Sequence, residues 1–247
     1  MRMPVIVAVV IALCLCSTAL AQQIGGPSGP DKGEFRVGGE AIFRTNVDSL
    51  VRPYNWRMSF KTRTYWGVLE YGITDCLSIR GKAGVSEFEE DAPPSPYKVK
   101  FDSGLAWAAG FRWRICKPEE HGTALALSGQ YIQTTPDDFA VPGATPPEFL
   151  QNVKTREWTG ALTVGVPHGS ARPYAGVVYA DGEADLDDLF VWEPVAPNIL
   201  IPLDIDKRHH VGAVVGIDHD LGGSGFCNLE ARMFDEEGIS GSINLVF

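Results

Sequence analysis

From residue 34 onward the chain is built of stretches in which apolar and polar residues alternate one by one. Ten can be marked, at roughly 34–46, 54–71, 76–86, 101–116, 123–134, 153–166, 171–184, 207–219, 226–234 and 238–247. A period of two puts successive side chains on opposite faces of a strand. In NWRMSFKTRTYWGVLEY, Trp56, Met58, Phe60, Thr62, Thr64, Trp66 and Val68 share one face, opposite Arg57, Ser59, Lys61, Arg63 and Tyr65. In FDSGLAWAAGFRWRI, Phe101, Leu105, Trp107, Ala109, Phe111, Trp113 and Ile115 lie opposite Gly104, Ala106, Ala108, Gly110, Arg112 and Arg114. The polar faces combine small residues with long cations, which suits a confined, wet interior. Aromatic residues gather toward the strand ends, as in the girdles of a membrane barrel.

The connections sharpen this reading. Of the nine connections the even-numbered ones, GITD, KPEEHG, PHGS and DLGGSG, are short, and most odd-numbered ones are long and rich in Pro and acidic residues: 47–53, 87–100, 135–152 and 185–206, with DEEG the exception. Short turns at one end and long loops at the other are the asymmetry of a transmembrane β-barrel. The pattern predicts an all-β, antiparallel up-and-down transmembrane β-barrel of about ten strands, with eight as the alternative.

Residues 1–21 read as a secretory signal peptide: Arg2, the apolar run PVIVAVVIALCLC, then Ala19 and Ala21 at the small-residue cleavage positions. Residues 22–33, QQIGGPSGPDKG, read as a flexible lead-in, and 34–247 as the barrel. Beyond the signal no run of 18 apolar residues occurs, so any membrane crossing is made by strands. A formal net charge of −10 in 247 residues excludes a general nucleic-acid binder.

The final strand, GISGSINLVF, places Ile239, Ile243, Leu245 and Phe247 on one face and Ser240, Ser242 and Asn244 on the other. With EYGITDCLSIRGKAGVSEFE and RPYAGVVYAD, this stretch resembles bacterial outer-membrane barrels of the OmpA-like and opacity type. The resemblance implies an outer-membrane location, contact with lipid and lipopolysaccharide, and Phe247 as the signal read by the barrel-assembly machinery. Barrels of that type usually have eight strands.

Alternation assigns Arg36, Arg44, Arg57, Lys61, Arg63, Arg80, Lys82, Arg112, Arg114 and Arg232 to the lumen, with Glu40, Glu157, Asp218 and Glu230. Such charges must pair or stay hydrated. Two outcomes remain open: a narrow pore that leans toward anions, or a salt-bridged plug. A structural or narrow-pore role without enzymatic activity or cofactor is the expectation. The rivals are an outer-membrane protease or lipid-A hydrolase using His209 and His210 with nearby aspartates, and a secreted soluble β-sandwich.

Cys76, Cys116 and Cys227 lie beside short turns in a compartment that permits disulfides. If Ile79 faces Trp113 and Gly81 faces Phe111, Cys76 faces Cys116 and the two can bridge. A register slip leaves them as thiols.

Overall fold

In the computed structural model, residues 23–52, 56–90, 100–116, 122–135, 139–140, 149–150, 153–193, 196–207, 210–234 and 236–247 are described. The signal peptide expected over 1–21 lies outside them. Among the described residues thirteen strands run in chain order: β1 (Phe35–Arg52), β2 (Trp56–Gly72), β3 (Leu77–Glu90), β4 (Lys100–Cys116), β5 (Ala124–Thr135), β6 (Phe139–Ala140), β7 (Phe149–Leu150), β8 (Val153–Gly165), β9 (Ala171–Glu193), β10 (Ala196–Lys207), β11 (Val211–Gly222), β12 (Gly225–Met233) and β13 (Glu237–Val246). Ten of them close into one antiparallel barrel, each pairing with the next and β13 returning to β1. The seam is sealed at its end by two backbone hydrogen bonds between Phe35 and Phe247, at 3.0 and 2.8 Å.

The strands reach further toward the loop end than their polarity implied. β1 and β2 pair as far as Val51 and Trp56, where a connection over 47–53 was expected. The 185–206 stretch, read as a loop, forms the outer part of β9 and most of β10. Their hairpin lays Asp204–Lys207 against Ser49–Arg52 of β1. Backbone pairing does not require an apolar face, so it continues past the point where alternation fades.

The outer face is apolar. Leu105 is 75% exposed and Ile243 66%. Aromatic residues gather at two levels on this face. Near the termini, Phe35 and Tyr71 pack at 4.6 Å between ring centroids. Loopward, Trp107, Tyr131 and Trp158 pack in a row with tilted rings at 5.3 and 4.5 Å between centroids, with Phe43 edge-on to Tyr65 at 6.0 Å. Phe35 and Phe43 mark the two levels on one strand. A strand rising ~3.4 Å per residue and tilted ~40° separates them by on the order of 20 Å, close to the apolar height of a bilayer-spanning barrel.

β2 is turned the other way from the sequence reading. Thr62, Thr64, Trp66 and Val68 are buried in the lumen, while Tyr65 and Leu69 are exposed on the outer wall. Lys61 and Arg63 therefore take the outward phase, and the Arg63 side chain is 60% exposed. The cause is Glu70, in phase with Trp66 and Val68 and 1% exposed. A carboxylate at membrane depth faces the interior, and its strand follows. The Arg57 side chain lies outside those described.

The β3–β4 register differs from the one that brings the cysteines together. Ile79 faces Phe111, and Arg112 faces Ser78. Cys76 then lies opposite Arg114, whose N–H donates to the Cys76 carbonyl at 2.7 Å. Cys116 is carried on to pair with Leu125 of β5. Cys76 is a free thiol, as is Cys227, so the expected Cys76–Cys116 bridge does not form.

Candidate functional site: the lumen and the segment inside it

The lumen is lined by the inward phase of each strand, and its charged groups gather on two facing walls. One wall is basic: Arg36 on β1, Arg80 and Lys82 on β3, Arg112 and Arg114 on β4. Glu70 knits this wall together. Its carboxylate lies 3.1 Å from Arg80, 3.1 Å from Arg112 and 3.7 Å from Arg36. It also accepts a 2.7 Å hydrogen bond from Ser78 Oγ. Glu40 takes Lys82 at 2.8 Å. Arg36 further rests over the Phe226 ring at 4.2 Å, so Phe226 turns inward.

The opposite wall is acidic. Asp218 on β11 and Glu230 on β12 are 2% and 1% exposed. From the barrel itself they receive only neutral donors in the described hydrogen bonds. Asn228 donates to Asp218 at 2.6 Å, and the Tyr174 hydroxyl donates to Glu230 at 2.8 Å. At the loop end a separate cluster joins Arg44 to Glu157 at 2.9 Å and to Glu236 at 3.7 Å, with Arg232 on Glu236 at 3.1 Å.

Between the two walls lies the segment expected as a flexible lead-in. Residues 23–27 and Pro30 are buried. Its chain is read through the backbone. The N–H groups of Ile24 and Gly25 donate to the two Glu230 oxygens at 2.9 and 2.8 Å, and that of Ser28 to Asp218 at 3.2 Å. The carbonyls face the other way. Gln23 O accepts from Lys82 at 3.2 Å, Ile24 O from Arg80 at 3.2 Å, and Pro30 O from Arg114 at 3.0 Å. Ser28 O accepts from Arg36 at 3.1 Å and from Arg112. Ile24 packs among Ala161, Tyr174, Val178 and Val214. Buried donors and acceptors without partners are costly, and here segment and walls satisfy one another. The voids left beside the segment are about 20 and 10 Å³, room for about a single water each.

Arg80, Lys82, Arg112, Glu40 and Glu230 thus line one site, together with Arg36 and Asp218. The half-buried Arg114 closes it at the terminal end. Sequence reasoning missed Glu70, Tyr174 and Asn228. Glu70 carried a signal, as the one carboxylate in phase with the apolar side of β2. Phe247 is 71% exposed at the terminal end of the outer face. His210 lies 3.4 Å from Asp181 and stacks on exposed Tyr179 at 5.9 Å, which puts it on the outer wall; His209 lies outside the described residues.

No protein-family model and no curated protein matches the chain. Solved structures do resemble it in fold. The outer-membrane protease OmpT of Escherichia coli aligns at 9% identity and a TM-score of 0.40, over 88% of this chain and 95% of that one. The translocator domain of the autotransporter NalP from Neisseria meningitidis aligns at 10% and 0.43, over 87% and 88%. An outer-membrane channel from Pseudomonas putida F1 aligns at 9% and 0.38, over 92% and 100%. At such identities and scores the likenesses say nothing about activity. The closed sheet, the apolar outer belt with aromatic residues at two levels and the charged groups turned to the lumen carry the conclusion by themselves: the chain is a transmembrane β-barrel of the outer-membrane kind.

Proposed function

We propose that the protein is a non-enzymatic outer-membrane barrel whose lumen is a narrow, anion-leaning passage that rests closed. The supporting observation is the basic wall of Arg36, Arg80, Lys82, Arg112 and Arg114, which runs from the terminal rim into the lumen and keeps cations in excess after Glu70 and Glu40 are paired. Fixed cations in a narrow lumen favour anions. The segment 23–30 fills the lumen between the basic and acidic walls, below the Arg44–Glu157–Glu236 cluster, and passage requires it to leave. Lipid and lipopolysaccharide around the belt, and the barrel-assembly machinery acting on the strand that ends at Phe247, are the partners of this reading. On this reading the protein is grouped in role with the small OmpA-like and opacity-type barrels.

Planar-bilayer recording tests it. The full chain is expected to give rare, small openings, and a chain lacking residues 23–30 to give sustained steps. In a KCl gradient the reversal potential should carry the sign of chloride preference. Silence from both chains would leave a purely structural role, and a potassium-selective current would overturn the anion preference.

A further inference from the structure

We propose that the lumen is a binding site for a peptide backbone, and that residues 23–30 are its resident ligand. This deepens the passage reading by naming a solute class, short peptides, although the binding claim itself requires no current. A simple anion would engage the basic wall and leave Asp218 and Glu230 with only the neutral donors Asn228 and Tyr174; a simple cation would engage the acidic wall alone. In this segment the N–H groups turn to one wall and the carbonyls to the other, a separation that the left-handed Gly25 permits and that a regular strand, which alternates them on both sides, lacks. The segment uses it in register, with Ile24, Gly25 and Ser28 donating to the acidic wall and Gln23, Ile24, Ser28 and Pro30 accepting from the basic one.

The side chains add selectivity. Ile24 fills an apolar pocket of Ala161, Tyr174, Val178 and Val214. Gly25 has a φ of +79°, a conformation that L side chains rarely adopt. A Cβ on Gly26 would strike the Asp218 carboxylate and the Tyr174 ring. Pro27 is seated where Gly165 leaves room, since a Cβ on Gly165 would lie 2.7 Å from Pro27 Cγ. The site therefore takes an apolar residue followed by Gly-Gly-Pro.

The test uses the N-acetylated peptide QIGGPSGPD, a copy of residues 23–31, titrated by calorimetry and tryptophan fluorescence in detergent. Three barrels are compared: the full chain, a chain lacking residues 23–30, and full-length Gly26→Val, whose own segment no longer fits. The last serves if the trimmed chain fails to fold. The peptide is expected to bind the emptied barrels at least tenfold more tightly than the full chain. A peptide with N-methylated Gly25, which cannot donate to Glu230, and one with Val at position 26 should each bind the emptied barrels at least tenfold more weakly. Equal binding of all three peptides, or equal binding to full and emptied barrels, overturns the proposal. An emptied barrel that conducts but takes no peptide keeps the passage and removes this inference. One that takes the peptide but stays silent does the opposite.

Discussion

The two walls of the lumen solve the same problem by different means. The basic wall is neutralised largely from within the barrel, since Glu70 gathers Arg36, Arg80 and Arg112, and Glu40 holds Lys82. The acidic wall is completed from outside the strands. Glu230 takes two backbone N–H groups from the segment and Asp218 takes a third. A buried carboxylate left without such donors bears the full desolvation penalty. One wall is thus a structural part of the barrel at all times, whereas the other is complete only while the segment is in place.

The largest effect should come from Glu70→Gln, which leaves three guanidinium groups facing one another. A cost of about 3–5 kcal/mol is expected, read by urea titration of folding into lipid vesicles. It should be the same with or without residues 23–30, and a cost that vanished in the trimmed chain would erase the distinction between the walls. Glu230→Gln is the sharper test. In the full chain the loss of acceptors should cost about 1–3 kcal/mol. In the trimmed chain the same change removes a carboxylate short of donors, so the effect should reverse sign and stabilise. An equal cost in both backgrounds would mean that the acidic wall is as self-sufficient as the basic one. Arg63→Ala marks the lower bound. Its 4.0 Å pairing with Glu87 is on the exposed outer wall, so about 0.5 kcal/mol or less is expected in either background. A larger loss would mean that Arg63 belongs to the lumen network.

Much of this arrangement is legible in the sequence, and the parts that are not have definite causes. In β4 the outward face is aromatic and the inward face is Gly, Ala and Arg, so alternation alone orients the strand. In β2 both faces carry bulky residues. Trp66 and Val68 look lipid-facing, yet they join Ile42, Ala106, Ala108 and Ile132 in an apolar layer inside the lumen. A filled lumen accepts apolar side chains as any protein core does, so only Glu70 could decide the phase. The β3–β4 register slipped for another reason. A shift of two residues leaves every side chain on its own face, so alternation does not report it; the irregularity between Ser86 and Phe88 has no mark in the pattern. The segment 23–30 has a composition shared with any loop. Nothing in its own residues reports its place in the lumen.

The short turn that joins the segment to β1 has a consequence of its own. Asp31 N–H donates to the Glu34 carboxylate at 2.9 Å, Glu34 N–H to the Asp31 carbonyl at 3.0 Å, and Gly33 N–H to the Gly72 carbonyl at 2.8 Å. Arg114 holds the Asp31 carboxylate at 2.8 Å. The ligand is therefore leashed at the rim of its own site. A short leash sets an effective concentration in the millimolar range. Contacts that would amount to only about 4 kcal/mol between separate molecules, a millimolar dissociation constant, already keep such a site half filled. Occupancy does not change on dilution, and any peptide arriving from solution competes against a local millimolar rival. Small losses in the leashed contacts, at Gly26 or at Glu230, translate directly into the fraction of time the lumen stands empty.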